Sequence, residues 1–169
     1  MYMELENFQD IIDFPNYMIN ENGDVYTKIN KRLLKPRLQN GYIRIGLTKN
    51  KKLYNKSIHR LLGLQYLPNP NNFPCIDHIN RIRIDNSLTN LRWVSYSHNS
   101  KNKMSKPNSS SRFIGVRRVK NNKNKPWRAE TTYEGKKYSI GYYRTEEEAY
   151  EAYKQYNLEK FDIEIIEIS

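Results

Sequence analysis

The sequence predicts an α+β protein in which short antiparallel hairpins are combined with helices. Two observations carry this prediction. The dipeptides Asn22-Gly23 and Asn40-Gly41 stand between alternating apolar segments, and such dipeptides are strong signals for hairpin turns. Apolar residues recur at helical spacing in two other segments, which begin at Ser57 and Thr145. With 169 residues, the chain is long enough for one or two small domains.

The first seventy residues predict strands that lead into one helix. After the turn at Asn40-Gly41, the run 42–47 alternates as a strand does, and residues 50–52 predict a further turn. Ser57 is the expected N-cap of the helix, and Pro68 ends it because proline cannot continue a helix.

Residues 75–102 predict a β-hairpin followed by a helix. The expected strands are 76–78 and 91–94, with a polar, turn-rich loop between them. Ser95 or Ser97 is expected to cap a helix that runs from about Tyr96 to Lys103. This β-β-α unit would bring four polar residues together: Asp77, His78, Asn90 and Asn99.

The last third of the chain predicts a linker and a second unit. Ser, Asn and Pro dominate residues 103–111, which have no apolar periodicity. Thr145 and Glu148 predict a capping box at the start of a helix. Three strands are expected before this helix, at 113–116, 127–131 and 138–142, with a turn at 134–136. The acidic end of the chain after the helix is expected as an edge strand or as a frayed end.

Positive charge is concentrated in the middle of the chain. Residues 31–128 contain 23 lysines and arginines but only two acidic residues, Asp77 and Asp85, while the whole chain carries a net charge of +11. A segment this basic repels itself unless a polyanion faces it, so nucleic acid is the expected partner. A merely solvated surface is the alternative, but such surfaces usually mix both signs.

Cysteine content and hydropathy indicate the compartment. Cys75 is the one cysteine, so an intrachain disulfide and a cysteine-based zinc site are excluded, and Cys75 is expected as a small buried residue. No signal-peptide pattern and no long apolar run are present. An intracellular location, cytoplasmic or nuclear, is expected, with no membrane partner and with a viral or phage origin as one option.

Asp77 and His78 are residue types that phosphodiester hydrolysis needs. Water is a poor nucleophile at neutral pH, and a neutral imidazole with a pKa of about 6.5 can take its proton. The leaving 3′ oxygen develops negative charge, which a hard divalent cation stabilises. Such a cation prefers oxygen ligands, and Asp77 and Asn99 offer a carboxylate and an amide oxygen. A bound metal ion and phosphate would explain why a basic segment keeps this carboxylate.

The order Asp77-His78, Asn90 and Asn99 resembles the HNH endonuclease motif of the homing type. Asn90 is thirteen positions after Asp77, and Asn99 is nine positions after Asn90. The resemblance implies a ββα-metal (His-Me finger) core with one divalent cation, Mg²⁺ or Mn²⁺, and no small-molecule cofactor. It implies His78 as the general base, Asp77 and Asn99 as the metal ligands, and Asn90 as the catalytic-site residue that orients His78. His98 is adjacent to Asn99 and competes with it for the ligand role.

The flanking segments resemble two modules that accompany such nucleases. DFPNYMINENGDVY, GYIRIGL and IHRLLGLQYLPNP resemble a nuclease-associated module, and GVRRVKNNKNKPWRAETTYEGKKYSIGYYRTEEEAYEAY resembles an Apetala/ERF-like DNA-binding domain. The second resemblance implies a three-stranded antiparallel sheet packed on one helix, with the sheet in the major groove. Matching positions imply DNA contacts by Arg117, Arg118, Trp127 and Arg128. Phosphate contacts from the central basic segment are expected at Arg60, Arg81, Arg83 and Arg92.

These resemblances predict five segments of the chain. They are a nuclease-associated module (1–70), an HNH core (71–104), a linker (105–111), an Apetala/ERF-like domain (112–161) and an acidic tail (162–169).

The leading hypothesis is a monomeric, sequence-guided endonuclease that hydrolyses duplex DNA, with a homing role as one interpretation. The alternative is a non-catalytic, transcription-factor-like DNA-binding protein with a decayed nuclease half, although residues 77–99 show no decay. RNA is a weaker substrate hypothesis. His59 either shapes the site, contacts phosphate or is an ordinary helix histidine. Asp85 and Asn86 are expected as turn residues and Trp93 as a core residue.

Overall fold

The computed structural model describes residues 5–103, 105 and 107–165. The chain divides into two compact units, one up to Val94 and one from Ser95 onward. Both units combine antiparallel strands with helices, which confirms the predicted α+β class. The five predicted segments remain predictions, and residues 166–169 of the predicted tail lie outside the described residues. None of the helices in the described ranges has the length and apolar character that spanning a bilayer requires.

The first unit contains three antiparallel sheets and one α-helix. A four-stranded sheet comprises β1 (Gln9–Asp10), β2 (Tyr17–Ile19), β3 (Val25–Thr27) and β4 (Arg32–Leu33). A three-stranded sheet comprises β5 (Arg37–Gln39), β6 (Tyr42–Lys49) and β7 (Lys52–Ser57). Helix α1 (Ile58–Tyr66) leads to a hairpin of β8 (Cys75–His78) and β9 (Leu91–Val94), with a 3₁₀ turn at Leu88–Asn90 before β9.

The hairpin turns of this unit lie where the sequence predicted them. Gly23 connects β2 and β3 with a φ of 84°, and Asn40-Gly41 connects β5 and β6 with φ values of 53° and 78°. Asn and Gly tolerate this left-handed backbone better than other residues, which explains the signal in the sequence.

Helix α1 packs closely against the strand that carries Asp77. A Cβ built on Gly63 would lie 2.0 Å from Cδ1 of Ile76, so any larger residue here requires the Ile76 side chain to move. Trp93 packs against the same core and its indole donates a hydrogen bond to the Leu67 carbonyl at 3.2 Å. Trp93 is therefore a core residue, as the sequence predicted.

The second unit packs one sheet on a long helix. It contains α2 (Tyr96–Lys101), strands β10 (Val116–Arg118), β11 (Trp127–Tyr133) and β12 (Lys136–Tyr143), and α3 (Glu146–Phe161). The strands are antiparallel in the order β10-β11-β12, and α3 covers one face of their sheet. The predicted capping box is confirmed: the Thr145 hydroxyl accepts from the Glu148 amide, and the Glu148 carboxylate accepts from the Thr145 amide.

The start of this unit differs from the prediction. The first strand was expected at 113–116 but begins at Val116, because Gly115 has a φ of 77° and interrupts the extended backbone. Phe113 still packs on the core, where its ring stacks on Tyr150 with centroids 4.2 Å apart. Within the described part of the tail, residues 162–165 form no strand, yet Ile163 and Ile165 are buried.

We expect Gly63→Ala to destabilise the first unit, because the added methyl overlaps Ile76. Alanine's better helix propensity offsets part of the overpacking cost, so the net loss in the free energy of unfolding should be about 1 kcal/mol, measured by urea denaturation. The double variant Gly63→Ala/Ile76→Val removes the overlapping methyl and should lose less stability than the two single changes added together. Strict additivity would contradict the contact.

Candidate functional site

Asp77 and His78 lie side by side at the end of β8 and are both buried. Asp77 is 7% exposed and His78 is 5% exposed. In the antiparallel register, Asp77 faces Arg92 and His78 faces Leu91 across the hairpin. Two adjacent buried polar residues are unusual in a strand this short, so their partners determine whether the strand is stable.

Arg92 is the partner of the buried carboxylate. Oδ2 of Asp77 accepts hydrogen bonds from Nε of Arg92 at 3.3 Å and from Nη2 at 3.2 Å. The two side chains are 8% and 22% exposed. A buried carboxylate without a cation would be costly, and Arg92 supplies that cation from the neighbouring strand. Arg92 is thus engaged within the protein, and its predicted contact with phosphate remains a prediction.

Asn86 is a partner of His78 that the sequence analysis missed. The Nε2 atom of His78 lies 3.1 Å from Oδ1 of Asn86. An amide oxygen only accepts, so this contact favours the tautomer with the proton on Nε2, which leaves the basic lone pair on Nδ1. Asn86 was expected only as a turn residue, although its position beside Asp85 in a polar loop was the available signal.

Asn90 holds the loop that joins β8 to β9. Its Oδ1 accepts from the Asn80 amide at 2.9 Å, and its Nδ2 donates to the Asp85 carbonyl at 2.8 Å. The Asp85 carboxylate accepts from the Ser87 hydroxyl at 2.6 Å, and bonds from Ser87 and Asn80 lower the pKa of Asp85. Asp85 therefore serves the loop, as expected. The predicted role of Asn90, orienting His78 directly, remains a prediction.

His59 and Tyr42 surround the ring of His78. The ring centroids of His59 and His78 are 4.9 Å apart with the rings edge to face, and the Tyr42 ring lies 5.2 Å from His59 and 6.2 Å from His78. Burial first, and then repulsion by His78, Arg60 and Arg44, lowers the pKa of His59 to about 4. His59 is therefore neutral at physiological pH.

The other predicted phosphate contacts of this unit have different neighbours. Arg83 places its guanidinium 5.1 Å from the centroid of the Tyr42 ring, which itself lies 5.2 Å from the His59 ring. Arg60 donates to the Pro74 carbonyl at 3.1 Å and so supports the chain before β8. Arg81 occupies a turn with a φ of 61°, and its amide donates to the His78 carbonyl at 2.9 Å.

The other predicted metal ligand lies on α2, in the second unit. Asn99 and His98 are both on this helix, and the Ser95 hydroxyl caps it by accepting from the His98 amide at 3.1 Å. Asp77 belongs to the first unit, so a metal site shared by Asp77 and Asn99 remains a prediction. The donor chemistry fits: one carboxylate and one amide oxygen suit a hard divalent cation. The described residues contain no group of three or more His, Cys, Asp and Glu arranged for a metal, and a site with one carboxylate would not form such a group.

The exposed face of the second unit's sheet carries two of the four predicted DNA contacts, Arg117 and Arg128. Arg117 lies opposite Arg128, and Arg128 lies opposite Tyr142, so the three residues form one row across the strands. Glu130 pairs with both arginines, at 3.4 Å from Nε of Arg117 and 3.3 Å from Nε of Arg128. Trp127, a predicted DNA contact, packs partly on the core. Arg118 is exposed in the same row as Trp127, and the DNA contacts of both residues remain predictions.

The element order β8, β9 and α2, with a buried Asp-His pair on β8, defines an HNH-type ββα nuclease core. Residues 56–101 match the family model described as HNH endonuclease, which confirms the predicted type of core. Residues 56–101 are therefore similar to HNH endonuclease domains.

Viral and phage HNH endonucleases are similar to about half of the chain. One protein of Acanthamoeba polyphaga mimivirus, described as an uncharacterized HNH endonuclease, is 36% identical over 85 residues, which are 50% of this chain and 26% of that protein. The DNA endonuclease I-HmuI of Bacillus phage SP01 is 33% identical over 92 residues, 54% of this chain and 53% of I-HmuI. The chain thus spans about a quarter to a half of the length of these relatives.

A solved structure supports the same assignment. That structure describes DNA binding and cleavage by the HNH homing endonuclease I-HmuI. It matches this protein with a TM-score of 0.51 and 31% identity over 56% of each chain. The predicted homing type of HNH domain is confirmed by this neighbour and by the phage relatives, whereas the Apetala/ERF-like resemblance remains a prediction.

We expect stability to fall as the pH is lowered from about 7 to 4, partly because of His59. Its folded pKa of about 4 lies below the unfolded value of 6.5, so the unfolded chain takes up the proton first. His59→Phe removes this titration and should reduce the loss by about 2 kcal/mol, after allowance for partial solvent exposure. Urea denaturation of both proteins at several pH values measures the effect, and equal slopes would contradict it.

Proposed function

We propose that the protein is a metal-dependent endonuclease that cuts duplex DNA. The observation that carries this proposal is the buried Asp77-His78 pair, held by Arg92 and Asn86 inside a segment that matches the HNH endonuclease family. Its similarity to I-HmuI, whose solved structure concerns DNA binding and cleavage, supports DNA as the substrate.

His78 is the proposed general base. With Nε2 directed at Asn86, Nδ1 carries the lone pair that can accept a proton from the attacking water. His59 contacts the ring edge-to-face and stays neutral, so it limits the rotation of His78 without adding a competing positive charge. The base is thereby held in one orientation by two neighbours.

Asp77 and Asn99 are the proposed ligands of one divalent cation, Mg²⁺ or Mn²⁺, with His98 as the alternative to Asn99. Such a cation supplies charge stabilisation for the phosphate and for the leaving oxygen. Arg92 fixes the direction of the Asp77 carboxylate, because it binds Oδ2 from the neighbouring strand. Arg83, whose guanidinium contacts the Tyr42 ring, is the proposed phosphate contact near this ring.

The second unit is the proposed DNA-reading part, as its Apetala/ERF-like resemblance implies. The row of Arg117, Arg128 and Tyr142 runs across the exposed face of a twisted antiparallel sheet, a geometry that can enter a major groove. Glu130 holds both arginines in place before DNA binds. We also propose that the protein acts as a monomer. An infected or host cell is the proposed location, since the relatives are viral and phage proteins.

The two acidic residues of the basic segment provide a matched test of the nuclease site. Asp77→Asn should lower the rate of plasmid cleavage with Mg²⁺ or Mn²⁺ by about 10²-fold or more, because the metal loses its carboxylate. Asp85→Asn makes the same substitution in the loop and should stay within about tenfold of wild type, because only loop bonds weaken. Similar losses in both variants would contradict the assignment of Asp77.

His78→Ala should lower the cleavage rate by about 10²–10⁴-fold, the usual worth of a general base, without weakening DNA binding. Plasmid nicking with and without EDTA measures cleavage, and a gel-shift assay measures binding. Binding by wild type without any strand break, at every metal tested, would instead establish the non-catalytic DNA-binding alternative.

Opposite charge changes on the sheet test the DNA-reading role. Arg128→Ala should weaken binding and lower the slope of log K against log salt by about one, because one positive charge that faces DNA is lost. Glu130→Gln removes the acid between the two arginines and should strengthen binding at low salt. Fluorescence anisotropy with a duplex oligonucleotide measures both, and unchanged salt slopes in both variants would place the DNA elsewhere.

A further inference from the structure

Helix α2, which carries Asn99, cannot hold its position alone. It has six residues, and isolated helices of this length are not stable in water. Tertiary contacts must therefore fix its position. The described contacts that fix it within its own unit run to β11, to the turn after β11 and to the end of α3.

Lys101 makes the strongest of these contacts. It is the last residue of α2 and is only 3% exposed, which is rare for a lysine. Its ammonium group donates to the Thr132 carbonyl at 2.9 Å. The same group lies 5.6 Å from the centroid of the Tyr133 ring and 5.9 Å from that of Phe161, and these two rings are stacked 4.2 Å apart. The carbonyl and the ring faces replace water around the buried charge.

A weaker contact ties the first turn of α2 to the same hairpin. The Ser97 hydroxyl accepts from the Glu134 amide at 3.4 Å, in the turn between β11 and β12. Ser97 and Lys101 each lie two residues from Asn99, one on either side. The helix segment with the proposed ligand is thus held at both ends by one hairpin of the second unit.

We propose that Lys101 is a positioning residue that holds the Asn99 segment of α2 for metal binding. This inference rests on the proposed endonuclease function. An ammonium group has no acceptor and cannot bind the cation, so Lys101 acts only through the helix backbone. The hairpin of β11 and β12 then has two roles, because its exposed face carries the proposed DNA contact Arg128 while its backbone holds the catalytic helix.

Lys101→Met separates this role from simple stabilisation of the unit. Methionine keeps an unbranched apolar side chain in the buried site but removes the hydrogen bond and the charge. Replacing a buried charged contact by an apolar side chain is often neutral for stability, so the fold should persist while α2 loosens. Lys103→Met is the matched control, because it removes the same charge from an exposed position.

The experiment uses the full chain and three measurements on wild type, Lys101→Met and Lys103→Met. Amide hydrogen exchange reports the order of residues 96–101, electron paramagnetic resonance of free Mn²⁺ reports metal binding, and plasmid cleavage against Mn²⁺ concentration separates half-saturation from maximal rate. In Lys101→Met, exchange in α2 and the half-saturating Mn²⁺ concentration should each rise about tenfold, as expected for one lost charged hydrogen bond. The maximal rate should fall less than half-saturation rises, and Lys103→Met should follow wild type in exchange and in metal binding.

Two outcomes overturn the inference, and they differ. If wild type binds and cuts but Lys101→Met matches Lys103→Met in exchange and half-saturation, the positioning role is wrong while the endonuclease proposal stands. If wild type neither binds Mn²⁺ nor cuts DNA, the endonuclease proposal fails and this inference fails with it. Should Lys101→Met not fold, Phe161→Leu removes one ring and keeps the carbonyl bond, and it should shift exchange and half-saturation in the same direction; no shift overturns the positioning role.

Discussion

The ion pair between Asp77 and Arg92 is the interaction on which the rest of the site depends. It spans the two strands of one short hairpin, and it makes a carboxylate with 8% side-chain exposure tolerable in a segment that is otherwise almost purely basic. Without the cation opposite it, the hairpin would carry an uncompensated buried charge, which is strongly destabilising. The same pair fixes the direction of the Asp77 carboxylate, which is one of the two proposed ligands of the divalent cation.

Around this pair, contacts with neighbouring side chains hold the ring of His78 in place. His78 is buried beside another histidine whose low pKa prevents it from becoming charged, and its Nε2 contacts an amide on the hairpin loop. Asn90 fixes that loop through two hydrogen bonds. The neighbours of the His78 ring come from a strand (Tyr42), a helix (His59) and a loop (Asn86). They hold the imidazole in place, and none of them is proposed to contact the reacting groups.

The second unit has two proposed roles, DNA contact and support of helix α2. Its sheet exposes arginines that an internal glutamate already holds in place, and the same sheet binds the short helix α2 through a buried lysine. Since α2 is too short to be independent, the position of Asn99 depends on the packing of this sheet. Under the proposed function, removing this unit would remove Asn99 as well as the proposed DNA contacts, so cleavage and DNA binding would both be affected.

The sequence alone determined the features that rest on local rules. The turns at Asn40-Gly41 and residues 50–52, the capping box at Thr145 and the order of the HNH motif all follow from backbone preferences or fixed spacing, which neighbours in sequence decide. The tertiary structure decided which side chains meet. In the folded protein, His59 and Asn86 contact His78, and Arg92 pairs with Asp77. Asn90 bonds to the loop, and Lys101 is buried against aromatic rings. These contacts join residues from different elements, and single-sequence patterns carry no information about distances between elements that pack together only on folding.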